Sequence, residues 1–72
     1  MTFQSRVISQ VRPLLENNEV AGFTNGTLFF NASERTARSI FHTLSTDQGL
    51  GKCQITKIWG NEEGGEYAID FV

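Results

Sequence analysis

The chain holds one cysteine, Cys53, and one histidine, His42. These are the residue types from which a thiol nucleophile and its activating base are made. They fall on neighbouring predicted elements, so contact between them is geometrically open. The plainer reading of each weighs more. A lone cysteine inside a strand pattern serves as a small apolar side chain, and a histidine off the apolar stripe of a helix faces solvent. No catalytic residue is assigned on this basis. A single cysteine makes an internal disulfide impossible, and one cysteine with one histidine leaves a zinc site short of ligands. Neither a metal nor a cofactor is expected.

Other patterns weaken in the same way. Gly49-Leu50-Gly51-Lys52 has the look of the end of a phosphate-binding loop. That loop needs glycine where Thr46 stands, serine or threonine where Cys53 stands, and a helix afterwards. Each is missing, and a glycine stop leading into a strand explains the run better. Glu62, Glu63 and Glu66 surround a glycine-rich turn but lack the regular ligand spacing of a calcium loop. They read as a solvated hairpin tip. Phe23, Phe29 and Phe30 precede a capped helix, as in sheets that stack RNA bases on exposed aromatics. The basic-glycine-aromatic run and the basic sheet surface of such proteins are absent.

The elements that must position these residues follow from periodicity. Phe3, Val7, Ile8, Val11, Leu14 and Leu15 recur at helical spacing between Thr2 and Asn17. Pro13 interrupts that run. It either kinks one helix, the preferred reading, or opens a second short one as its first residue. Asn17 and Asn18 supply the stop. Two strand-like runs, Val20 to Thr24 and Thr27 to Phe30, flank Asn25-Gly26, the pair that a type I′ hairpin turn favours. A two-residue loop sets Phe23 across from Leu28, Ala21 across from Phe30 and Gly22 across from Phe29. Asn31 and Glu34 read as the ends of a capping box. The helix behind them carries a stripe of Ala37, Ile40, Phe41 and Leu44, with Arg35, Arg38 and His42 off it, and Gly49 ends it. Lys52 to Trp59 and Glu66 to Val72 alternate as strands of a second hairpin. A five-residue loop would set Trp59 opposite Tyr67 and Ile55 opposite Phe71. Lys57 on that apolar face suits an edge strand.

The resulting order is α-β-β-α-β-β. The fold class expected is α+β, a single small domain over residues 1–72, with a four-stranded, mainly antiparallel sheet and two helices packed on one of its faces. No apolar run is long enough for a signal peptide or a membrane span, so a cytoplasmic protein with no membrane partner is expected.

A chain of 72 residues buries only about 60% of its unfolded surface, so self-association stays open as a source of stability. The net charge is −2, which is not the balance of a phosphate-backbone binder. The charge is uneven: residues 1–38 carry +1 and residues 39–72 carry −3.

The expected function is a non-catalytic protein-interaction module that binds or masks a partner protein. Small stand-alone proteins of that kind are common products of phages and mobile elements, although no residue here shows that origin. Strand alternation sends Phe29 away from the helices, with Ile58 and Val72 pointing the same way amid Thr24, Thr27, Gln54 and Thr56. An apolar centre with a short polar rim resembles an interface core. The competing reading makes Phe29 a shield over Gly22. The alternative function is single-stranded nucleic-acid binding, with Phe29 stacking on bases and Arg35 and Arg38 holding phosphates.

Overall fold

The computed structural model describes residues 2–15 and 22–71. These form α1 (Phe3–Val11), β1 (Gly22–Thr24), β2 (Thr27–Ser33), α2 (Glu34–Thr46), β3 (Cys53–Asn61) and β4 (Gly64–Phe71), with short 3₁₀ turns at Arg12–Leu14 and Gln48–Leu50. The fold is α+β. All strand pairings are antiparallel, in the order β1-β2-β4-β3, which places β1 and β3 at the edges. No helix among the described residues is long and apolar enough to cross a membrane.

Helix α1 starts at Thr2, whose hydroxyl accepts from the Ser5 amide at 3.1 Å and so satisfies one free donor of the first turn. Its buried residues are Val7 and Val11. Pro13 does not kink it. The helix stops at Val11 and Pro13 sits in the first turn of a separate 3₁₀ segment, the second of the two readings, because proline has no amide to give to a continuing helix. Leu15 is then buried while Leu14 stays 37% exposed. The expected stop at Asn17 and Asn18 lies outside the described residues, as do Val20, Ala21 and Val72.

The first hairpin turns at Asn25 (φ 53°) and Gly26 (φ 78°), the two positive values a type I′ turn requires. Phe23 pairs with Leu28 and Gly22 with Phe29. Strand β2 runs further than Phe30. Asn31 pairs with Glu66 inside the ladder, and the cap of α2 is Ser33, whose hydroxyl accepts from the Thr36 amide at 3.2 Å. The capping box expected at Asn31 is therefore displaced by two residues, since pairing with β4 holds Asn31 extended. Helix α2 ends at Thr46 rather than at Gly49. Asp47 leaves the helical region, and the left-handed position falls at Gly51 (φ 79°). Leu50 still folds back into the core.

The second hairpin departs furthest from expectation. Strands β3 and β4 extend to a two-residue turn at Glu62–Glu63, braced by Asn61 Oδ1, which accepts from the Glu63 amide at 2.9 Å. Lys57, not Trp59, lies opposite Tyr67, and Ile55 lies opposite Ile69. A bulge between Lys57 and Trp59 then shifts the register, so that Trp59 pairs with Glu66. An extra residue in one strand sends every later side chain to the other face.

One core cluster unites Val7 and Val11 of α1 with Ala37, Ile40 and Leu44 of α2 and with Leu28, Phe30, Tyr67 and Ile69 of the sheet. Phe3 of α1 adds an edge-on contact to Phe71, ring centroids 5.2 Å apart. Phe30 and Tyr67 stack at 5.8 Å in the same layer.

Candidate functional site

Alternation divides the sheet into two faces. Leu28, Phe30, Tyr67 and Ile69 belong to the core face. Their neighbours Phe29, Ala68, Glu66 and Asp70 project from the other. The ladder aligns this second face in rows. One row reads Gly22, Phe29, Ala68, Thr56 and the next Asn31, Glu66, Trp59. Asn31, Gln54, Thr56, Trp59 and Asp70 are exposed, so the face is open to solvent.

Phe29 is half-buried. It does not lie over Gly22, because a Cβ built at Gly22 would meet no atom within 4 Å. Ala68, on the other side of Phe29, is only 7% exposed although it stands on the open face. Phe29 and Ala68 are direct partners in the ladder, at the centre of the sheet.

The most exposed large apolar side chain among the described residues is Trp59, at 65%, followed by Ile58 at 46%. Unbroken alternation assigns Trp59 to the core face. The bulge places it on the open face instead, where its Nε1–H donates to Glu66 Oε1 at 3.0 Å. The signal that could have found it is the glycine spacing around the hairpin: Gly60 faces Gly65 across the ladder, and no room exists there for two side chains. Of the binding residues expected, Phe29 and Ile58 are described, while Val72 lies outside the described residues.

Arg35 and Arg38 stand elsewhere. Both are exposed on α2, whose opposite side packs into the core face of the sheet. Arg38 donates to Glu34 Oε1 at 3.3 Å. Together with Ser39 and His42 they line a shallow concavity on the outer side of α2, across the sheet from Phe29.

Cys53 packs against the core cluster, and burial pushes its thiol pKa up, away from the thiolate that nucleophilic chemistry needs. His42 is exposed. A small cavity of about 210 Å³ opens between α2 and β3, lined by Glu34, Ala37, Arg38, Ile55, Lys57 and Tyr67. Lys57 Nζ lies 5.9 Å from the centre of the Tyr67 ring and donates to the Asn61 carbonyl. No group of three or more His, Cys, Asp or Glu side chains gathers for a metal among the described residues.

Comparison with protein-family models, with curated proteins and with solved structures finds no significant match to this chain.

Proposed function

We propose that this chain is a non-catalytic protein-interaction module that docks a partner protein on the open face of its sheet. The observation that carries the reading is Trp59: a large aromatic, 65% exposed, with its indole N–H bonded to Glu66. Rigid aromatic side chains lose little freedom when covered and dominate the energy of protein interfaces. At about 25 cal/mol per Å², covering the exposed part of such an indole would contribute on the order of 3 kcal/mol. Ile58, the neighbouring residue at the bulge, is 46% exposed and adds apolar surface, and Phe29 stands in the adjacent row of the open face.

Single-stranded nucleic-acid binding is the second reading, favoured by the aromatic character of the same face. It has less support. Phe29 and the Arg35–Arg38 pair lie on opposite sides of the sheet, so one contact surface does not contain both. Among the described strand residues, the charged side chains on the open face are Glu66 and Asp70, which repel phosphate.

The test is affinity capture from cells that make the protein, with and without nuclease, followed by Trp59→Ser. The expected result is a protein partner that survives nuclease and is lost from Trp59→Ser, while the melting temperature barely moves. A partner retained by both Trp59→Ser and Ile58→Ser removes the open face as the docking surface. Material released by nuclease favours the nucleic-acid reading.

A further inference from the structure

We infer that the partner segment received by this face presents an arginine, which lies on the Trp59 ring and forks its guanidinium onto Glu66. The inference rests on the docking reading above and adds the chemistry of the partner.

Charge comes first. Among the described strand residues of the open face, the ionisable side chains are Glu66 and Asp70, with no cation between them. Asp70 already accepts from the Thr27 hydroxyl at 2.6 Å. Glu66 accepts the Trp59 indole through Oε1 alone, and no described residue bonds to Oε2. Covering Trp59 also covers Glu66, its neighbour in the ladder. A neutral partner would strip water from that carboxylate and give nothing back, which is costly. A cation removes the difficulty.

Geometry selects the kind of cation. The indole N–H is tied edge-on to Glu66, so the ring is held beside the carboxylate rather than free to turn away. A group that stacks on the π face and also reaches the carboxylate must be flat and carry several donors. Guanidinium meets both conditions, and ammonium meets only the charge. Ile58 offers an apolar surface for the arginine stem, and the exposed Asn31 amide, next to Glu66 in the same row, can accept a further N–H.

Trp59 is the only tryptophan in the chain, so its fluorescence reports on this site alone. The probe is a capped Gly-Leu-Arg-Leu-Gly peptide, set against counterparts with lysine or citrulline in place of arginine. Citrulline keeps the shape and removes the charge. The expected result is a saturable change in emission with the arginine peptide, with Kd near or below about 1 mM. Citrulline should bind about tenfold more weakly, with lysine between them. Glu66→Gln should bring the arginine peptide to the citrulline level with the circular dichroism melt unchanged, and Asp70→Asn should leave it close to the parent. Equal binding of arginine and citrulline, an unaltered affinity in Glu66→Gln, or no saturation by about 10 mM overturns the inference. The two readings separate on the captured partner. Loss in Trp59→Ser but retention in Glu66→Gln keeps the docking surface and removes the arginine, whereas retention in Trp59→Ser, Ile58→Ser and Glu66→Gln removes the two together.

Discussion

Arg6 and Asp47, 41 positions apart, form a two-point ion pair: Arg6 Nε donates to Oδ2 at 3.0 Å and its terminal NH₂ to Oδ1 at 2.7 Å. Gln10 adds a third bond to Oδ2 at 2.7 Å, and the Gly49 amide donates to Oδ1 at 2.9 Å. One carboxylate thus ties α1 to the exit of α2 and holds the 3₁₀ turn that follows. The Arg6 hydrogen bonds, then that of Gln10, hold the Asp47 pKa below the ordinary carboxylate value.

A depressed folded-state pKa fixes the sign of the pH dependence. The stabilisation by Asp47 is fully present above the ordinary carboxylate pKa and is lost as pH falls through the lower folded value. Arg6, whose pKa is raised, stays protonated throughout and adds no slope. Asp47→Asn should therefore melt below the parent near neutral pH, with a gap that is constant down to about pH 5 and narrows in more acidic solution. A series of melts from neutral to acid pH checks this; a gap independent of pH would contradict it.

The cap of α2 separates two neighbouring residues. Ser33→Ala removes the acceptor of the Thr36 amide and should cost about 1 kcal/mol. Asn31→Ala changes an exposed ladder position that caps nothing and should cost under about 0.5 kcal/mol. Urea midpoints of the two variants measure the difference, and the reverse order would restore the cap to Asn31.

Gly26 and Gly64 both have positive φ, yet they should respond differently to alanine. At Gly26 a Cβ meets only the Phe71 carbonyl, at 3.9 Å, so the cost is backbone strain of about 1–2 kcal/mol. At Gly64 a Cβ would fall on the Ala32 carbonyl and within 2.7 Å of Ser33 Cα, so β2 and β4 must move apart. Gly64→Ala should be the more damaging by denaturant unfolding, and its displacement of the ladder should loosen the cap at Ser33.

Ile40 and Leu44 are fully buried at the centre of the cluster. Truncating either to alanine should cost roughly 2–5 kcal/mol, which approaches the whole stability expected of so small a domain. Calorimetry of both variants checks this. Melting at the parent temperature would mean that α2 does not carry the core.

The elements that rest on short stretches of chain are legible in the residues alone. Asn25-Gly26 specifies its own turn through backbone sterics, and Ala37, Ile40 and Leu44 specify a buried helix face through their spacing. The placement of Phe29 on the face away from the core follows from the same alternation once Leu28 and Phe30 are assigned to the core. Other features depend on partners far along the chain. The order β1-β2-β4-β3 rests on β4 entering between β2 and β3, and no local pattern encodes which strand accepts it. Asn31 and Ser33 compete as helix caps on nearly equal local terms, and pairing of Asn31 with Glu66 decides between them. The close crossing of Gly60 and Gly65 and the bulge between Lys57 and Trp59 are adjustments of one strand to another. A single extra residue there exchanges the faces of a strand, so Trp59, which periodicity assigns to the core, stands in solvent beside Glu66. Residue order is thus enough to specify the kinds of element and most of the core, because turn sterics and helical spacing act within a few positions. Which aromatic stands exposed on the open face is settled only when β3 meets β4, because register is a relation between strands and not a property of either one.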